Sequence, residues 1–282
     1  MKLIRNFFEL VKFEHTLFAL PFAYMGGVLA DGGSVFKWIL VTLAMIGART
    51  AGMSLNRLID RKIDEKNPRT KNRILPSGKM KNSTVWLIVI LSLVLFLWSA
   101  YLLNPLCFIL SPTALILLFL YSYLKRFTYL CHIVLGIILG AAPVGGWIAM
   151  TGRLDIAPIL LGVAVIFWTA GFDIIYACQD YQFDIKEKLF SIPTKFGVSK
   201  ALIISEMFHV ITILLIFYVG FILGLNLIYF MGVIIVAGLI AYEHYLVRPE
   251  KLNSIQRAFF VINSWVSVIL LIFTLVSKMV NI

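Results

Sequence analysis

Apolar residues in this chain come in long unbroken runs rather than in alternating or striped patterns. Nine such windows lie near 15–31, 36–58, 84–103, 106–124, 130–150, 156–178, 199–223, 226–247 and 256–278. Each approaches the roughly 20 residues an α-helix needs to cross a hydrocarbon core of about 30 Å. The pattern predicts an all-α, polytopic membrane helical bundle with about nine transmembrane helices. Ahead of the first window, Leu3, Ile4, Phe7, Phe8 and Val11 stand against Lys2, Arg5 and Lys12. That reads as a short amphipathic helix on the membrane surface, not as a cleaved signal peptide. Most connections are tight turns, but those near 58–83 and 179–197 are longer, and long loops tend to carry function.

Composition strengthens this reading. Of 282 residues, 61% are apolar or aromatic and 14% charged, against about 25% charged in soluble domains; the mean hydropathy of +0.94 agrees. No room is left for a sizeable soluble domain, so residues 1–282 read as one membrane-embedded domain whose chemistry lies in the bundle or its loops. The net charge of +11 is not spread over a solvated face. Basic residues gather at Lys2 to Lys12, Arg57 to Lys81, Lys125 and Arg126, Lys186 to Lys200, and Arg248 to Arg257, which together hold 21 of the 25. This alternation is the positive-inside pattern: it places the N-terminus and the long loops in the cytoplasm and argues against a nucleic-acid partner. Cys107, Cys131 and Cys178 have no metal-binding or disulfide-framework spacing and read as packing residues.

Within the two long connections the polar residues repeat. Arg49, Asn56 and Asp60 are spaced 7 then 4, and Asp173, Asp180 and Asp184 reproduce that spacing 124 residues later, with Pro68 and Pro193 following. This suggests a weak internal repeat, two four-helix halves plus a ninth helix. Residues four apart share a helical face, so Asn56, Asp60 and Asp64 form one polar column and Asp173, Asp180 and Asp184 a second. Grouped carboxylates without cysteine or a well-placed histidine are hard oxygen ligands. They suit magnesium, which binds through one or two carboxylates and a substrate's phosphates. Arg57, Arg61, Lys62, Lys66, Arg69, Lys71 and Arg73 follow the first column, and Lys125 and Arg126 end the fourth span; they suit a departing diphosphate. Lys66, Lys71, Lys79 and Lys81 are expected only to set topology. Arg49 and Asp173 lie about two turns inside apolar spans, where a charge costs about 2.5–3.5 kcal/mol on insertion scales and marks a polar cavity. His15, His132, His209 and His244 share no helical face, and Glu206 and His209 are expected to make a local interhelical hydrogen bond. Gly136 with Gly140, and Gly220 with Gly224, have the spacing of close helix packing.

The segments NRLIDRKID at Asn56 to Asp64, NPRTKNRILPSG after it, YSYLK at Tyr121 to Lys125, and DIIYACQDYQFD at Asp173 to Asp184 followed by SIPTKFG together resemble the UbiA superfamily of intramembrane prenyltransferases. KFEHTLFALPFAYMGG and YACQDYQFD are most similar to its 4-hydroxybenzoate polyprenyltransferase branch, which includes relatives assigned to quinone synthesis by the futalosine route. The resemblance implies nine helices around a central cavity and two aspartate-rich motifs holding a magnesium diphosphate. The family's first motif often reads Asn-Asp-x-x-Asp-x-x-x-Asp, and Arg57 replaces that first Asp here.

Taken with the residues, the resemblance implies transfer of a polyprenyl group from its diphosphate to a ring carbon of an aromatic acid, most readily 4-hydroxybenzoate, in ubiquinone- or menaquinone-type quinone synthesis at the plasma (bacterial inner) membrane. Asn56, Asp60, Asp64, Asp180 and Asp184 are the expected Mg2+ ligands. Lys125 and Arg61, Arg69 or Arg73 would stabilise the leaving diphosphate, and Arg49 would pair with the acceptor carboxylate. Arg57, Tyr121, Arg126 and Tyr176 complete the expected substrate-binding set, and Asp60, Asp173, Asp180 and Lys125 the catalytic one. Asp173 or Asp180, a diphosphate oxygen or water could take the ring proton. Hydroxynaphthoate, homogentisate and a haem vinyl group stay open as acceptors. Outside the superfamily, an intramembrane phosphatidyltransferase needs a glycine where Tyr176 stands. A transporter needs broken helices at mid-depth, and the acids cluster at one face instead.

Overall fold

The computed structural model describes residues 2–11, 16–248 and 261–280, and every regular element among them is helical. Lys12, His15, Lys251 and Arg257 fall outside the described residues, as do positions 256–260 of the ninth apolar window. In chain order the helices are α1 (Lys2–Val11), α2 (Thr16–Leu29), α3 (Val35–Ile59), α4 (Arg61–Lys66), α5 (Asn82–Leu103), α6 (Pro105–Leu124), α7 (Cys131–Thr151), α8 (Ile156–Ala177), α9 (Tyr181–Lys186), α10 (Ile192–Phe196), α11 (Val198–Ile222), α12 (Leu227–Leu246) and α13 (Asn263–Val280). Eight of them, α3, α5 to α8 and α11 to α13, are long and apolar enough to cross a membrane, and α2 is a shorter apolar helix. The expected nine-window pattern therefore corresponds to these nine helices. The chain is an integral membrane bundle.

Sequence signals set the helix ends. Asn104 caps α6, accepting from the Cys107 N–H at 3.0 Å with Pro105 in the first turn, where proline's missing N–H costs nothing. Its amide also donates to the Ile148 carbonyl of α7 at 2.8 Å, so the cap ties two helices together. Gly152 ends α7 in the left-handed region at φ 71°, a conformation open to glycine without strain.

Between helices, small residues permit close approach, since apolar side chains gain little by leaving lipid for one another. A Cβ on Gly136 would sit 2.5 Å from the Ile166 carbonyl, and one on Gly140 2.5 Å from that of Gly162, so α7 lies backbone to backbone with α8. Gly146 does the same against Ala23 of α2, at 2.0 Å. The other small-residue pair behaves differently from expectation: Gly220 makes room for the Tyr229 ring, while Gly224, at φ 60°, closes the turn after α11. Trp168 is fully buried in the core, 5.1 Å from Phe22 and 4.8 Å from Phe172 between ring centres. Helices α2, α3 and α5 to α8 enclose a cavity, while α11 to α13 pack behind α2 and α8. On the outer surface Val94, Trp98, Leu214 and Phe221 are exposed, as a surface bathed in hydrocarbon allows.

Candidate active site

Both long connections hold more helix than their polarity suggested. At Asp60 the backbone leaves α3 (φ −88°, ψ 3°) and restarts as α4. The Asp60 N–H still bonds the Asn56 carbonyl at 2.9 Å, and the Asp64 N–H that of Asp60 at 2.8 Å. The i to i+4 spacing thus survives the bend, and Asn56, Asp60 and Asp64 stay on one face. The end of α8 is built alike: a single 3-10 turn, Cys178–Asp180, leads into α9, which carries Asp184.

A cavity of about 560 Å³ receives both sets. Asn56, Asp60, Asp64, Asp173, Asp180 and Asp184 all line it, with Arg49, Arg57, Arg69, Arg73, Tyr121, Lys125 and Tyr176. Beyond these residues the wall is mostly apolar, including Ala23, Ala48, Phe96, Leu118 and Gly145. Two expected substrate ligands do not line this cavity. Arg61 lies outside the lining and donates to Asn82 at 3.1 Å. Arg126 also lies outside: it donates to Asp60 Oδ1 at 2.9 Å and to the Ile59 and Ser122 carbonyls, so it braces the end of α6 against the end of α3.

The carboxylates are held chiefly by arginines from the first loop. Asp180 takes the Arg69 side chain through Nε at 2.9 Å and through Nη2, and the Asn67 amide at 3.0 Å. Arg69 Nη1 donates to the Tyr176 hydroxyl at 2.7 Å. Burial alone would lower the Arg69 guanidinium, but the bonds to Asp180 and Tyr176 hold it above its ordinary value. Arg73 donates to Asp64 Oδ1 at 2.7 Å, and Arg57 Nη1 lies 3.8 Å from Oδ2. Asn56 donates to Asp60 Oδ2 at 2.8 Å. Burial pushes the Asp60 carboxyl up, against the pull of Arg126 and Lys125. Lys125 Nζ lies 3.9 Å from Asp184 Oδ2; burial acts to lower this ammonium, and the surrounding carboxylates, Asp184 foremost, hold it above its ordinary value. Lys66 and Glu187, 2.7 Å apart, join the two loops at the surface.

Two oxygens, one from each set, accept no hydrogen bond. Asp64 Oδ2 and Asp184 Oδ2 are buried with only the longer ion-pair contacts to Arg57 and Lys125, which leaves room for a closer cation to complete each carboxylate. Among the described residues no group of three or more histidine, cysteine or acidic side chains could hold a metal by itself. The donor set therefore fits a hard cation held by one or two carboxylates and shared with a phosphorylated ligand, as Mg2+ commonly is.

Arg49 is the other uncommitted group. It lies eleven residues before Asp60 on α3, about 16 Å deeper at 1.5 Å per residue. Its Nε is buried without a partner, and among the described residues no ion pair or hydrogen bond holds its guanidinium.

Sequence reasoning missed three elements. His132, fully buried, lies 2.7 Å from Asp173 through Nδ1. Asn67 is a ligand of Asp180, readable only as part of its loop motif. His209 makes the expected interhelical hydrogen bonds, to His244 of α12 at 2.8 Å and to the Trp168 carbonyl of α8 at 3.2 Å, partners that the sequence did not identify.

Comparison with known proteins follows the same architecture. A model described as the UbiA prenyltransferase family matches residues 19–265. The 4-hydroxybenzoate octaprenyltransferases of Saccharophagus degradans and Vibrio parahaemolyticus are 31% and 30% identical, the alignments covering 90% and 98% of this chain and 85% and 95% of theirs. Among solved structures, the apo UbiA homolog from Aeropyrum pernix superposes with a TM-score of 0.85 at 33% identity, covering 93% of this chain and 98% of that one. A UbiA homolog from Archaeoglobus fulgidus bound to GPP and Mg2+ shares the fold, with a TM-score of 0.75 at 23% identity over 97% of this chain and 99% of that one.

Proposed function

The chain belongs to the UbiA prenyltransferase family, and from that premise we propose that it transfers a polyprenyl group from polyprenyl diphosphate to a ring carbon of an aromatic acid, with 4-hydroxybenzoate the foremost acceptor. The observation that carries the reading is one cavity, charged at one end and apolar beyond, that receives two distant aspartate sets together with an uncommitted arginine. Relatives bearing the 4-hydroxybenzoate octaprenyltransferase name over nearly the whole chain support the acceptor class.

Each group has a part in this chemistry. Asp64 and Asp184, with Asn56, Asp60 and Asp180 around them, would hold Mg2+, which supplies charge neutralisation to the diphosphate as the allylic C–O bond breaks. Arg69, Arg73 and Lys125 bind the leaving phosphates. The apolar wall keeps water from the allylic cation, and the Phe172 and Tyr121 rings that line the cavity can face it. Arg49 pairs with the acceptor carboxylate and so sets the ring's orientation.

Ring carbon attack leaves one proton to remove. Asp180 is a poor acceptor, since Arg69 and Asn67 already occupy it. Among the described residues Asp173 has a single hydrogen-bond partner, His132, on Oδ2, so its second oxygen is the better-placed base. The excess of basic residues at the site end supports a mouth at the cytoplasmic face of the bacterial inner membrane, where a soluble acid and a lipid-borne diphosphate would meet.

The test offers purified protein, one allylic diphosphate and Mg2+ a panel of acceptors: 4-hydroxybenzoate, 1,4-dihydroxy-2-naphthoate, a 6-hydroxynaphthoate and homogentisate. Mass spectrometry identifies the products. Ring-prenylated 4-hydroxybenzoate is the expected product; naphthoate products alone would transfer the same mechanism to the other quinone route.

A further inference from the structure

Asp173 has a neighbour that neither its own helix nor its motif supplies. His132 stands in the first turn of α7, fully buried, with Nδ1 2.7 Å from Asp173 Oδ2. On its other side the Ile192 backbone N–H points at His132 Nε2, at 3.3 Å. Ile192 opens α10, and the first N–H groups of a helix have no partner within it. An N–H can be received only by a lone pair, so Nε2 carries no proton. The neutral ring then holds its single proton on Nδ1 and donates it to Asp173.

We propose that His132 is a positioning residue for the prenyl-transfer reaction: it fixes the Asp173 carboxylate by one hydrogen bond so that the other oxygen faces the acceptor ring. This rests on the reading of Asp173 as the base for the ring proton. The same geometry rules His132 out as a relay. Its far nitrogen is already committed to a backbone donor, so a proton taken by Asp173 stays on Asp173 until it leaves through the cavity. In the proton step, Asp173 Oδ1 gains the proton, the ring C–H bond breaks and its electron pair restores the aromatic ring. His132 is unchanged throughout. The histidine also couples the base to the start of α10, since one side chain satisfies both a catalytic carboxylate and the first backbone donor of that helix.

The experiment compares His132→Leu, His132→Gln, Asp173→Asn and the His132→Leu/Asp173→Asn double variant in the full-length purified protein, with 4-hydroxybenzoate, a short allylic diphosphate and Mg2+. Glutamine has an amide N–H for Asp173 and a carbonyl oxygen for the Ile192 N–H, so it can replace both bonds; leucine replaces neither. His132→Leu should lower kcat about 10- to 100-fold, as loss of alignment does, with the donor KM within about threefold. His132→Gln should recover most of that loss. The double variant should be no slower than Asp173→Asn, because His132 acts only through Asp173. Nitrogen-15 shifts of the unmodified protein should show Nδ1 protonated and Nε2 bare, an observation independent of how any variant folds. If Asp173→Asn keeps full kcat, the base assignment fails. If Asp173→Asn is slow but His132→Gln is no better than His132→Leu, if the two losses multiply, or if Nε2 carries the proton, the positioning role is overturned while the base assignment stands.

Discussion

Replacing Arg49 by leucine should weaken catalysis and strengthen the fold at once. The guanidinium sits inside a transmembrane helix with its Nε buried and, among the described residues, no carboxylate or hydrogen bond to hold it. A charge in that position costs about 2.5–3.5 kcal/mol on insertion scales. The polar cavity offsets part of this, so its removal should stabilise the protein by about 1–3 kcal/mol. A charge-assisted hydrogen bond to the acceptor carboxylate contributes about 1.5–3 kcal/mol, which at 1.36 kcal/mol per decade is a factor of about 10 to 150 in kcat/KM for the acid. The donor KM should stay nearly constant. The assay measures kcat/KM for 4-hydroxybenzoate and for its uncharged methyl ester, alongside thermal unfolding in detergent. The unmodified protein should prefer the acid, and the Arg49→Leu variant should lose that preference while its midpoint rises. An unchanged preference for the acid would refute the carboxylate assignment, and a lower unfolding midpoint would show that Arg49 is tied into the fold after all.

Asp64→Asn and Asp184→Asn neutralise the two carboxylates whose buried Oδ2 atoms accept no hydrogen bond and should each reduce transfer at least about 100-fold, with part of the loss recovered by raising Mg2+; equal activity at all magnesium concentrations would count against a cation there. A Cβ on Gly145 meets nothing within 4 Å and Gly145 lines the cavity, so Gly145→Leu should leave the fold intact but discriminate against long prenyl donors relative to dimethylallyl diphosphate, as a donor-length series would reveal. Gly146→Val sets branched carbons against the Ala23 carbonyl, already 2.0 Å from a single Cβ, and should destabilise the bundle by about 1–3 kcal/mol or more, read as a lowered unfolding midpoint. Leu10 is buried with Ile74 and Leu75 of the first loop, and Asn6 donates to the Lys79 carbonyl at 3.1 Å; Leu10→Ala should therefore raise the donor KM and speed protease cleavage between 67 and 81, while thermal unfolding of the bundle changes little.

How much of this was readable in the sequence depended on the range of the interaction. The spans were legible because each satisfies its backbone internally and needs only length and apolarity. The Asn56, Asp60 and Asp64 column was legible because the spacing of four persists through the bend at Asp60. Pairings between columns were not. Arg69 and Asp180 are 111 residues apart, and His132 and Asp173 are 41 apart on antiparallel helices; no local periodicity encodes either. Arg61 and Arg126 look equivalent to Arg69 and Arg73 in a list of basic residues, yet a turn of the backbone points Arg61 at Asn82 and puts Arg126 behind Asp60. Histidine was undervalued for the same reason, since its partners lie on neighbouring helices.

The charge balance of the cavity explains why a cation belongs to substrate binding rather than to the empty fold. Its lining holds five cations, Arg49, Arg57, Arg69, Arg73 and Lys125, and five aspartates, 60, 64, 173, 180 and 184. Most of these already neutralise one another across ion pairs of 2.7 to 3.9 Å. A diphosphate ester and an aromatic acid together bring about four negative charges into a space walled by apolar groups, where uncompensated charge is costly. The arginines cannot meet that charge without abandoning the aspartates. On the proposed function, the aspartates would hold divalent cations, which would supply the missing positive charge, while Arg69, Arg73 and Lys125 would turn to the phosphates. On this account the arginine-aspartate pairs act as placeholders that keep both sets aligned until the donor and its magnesium arrive together.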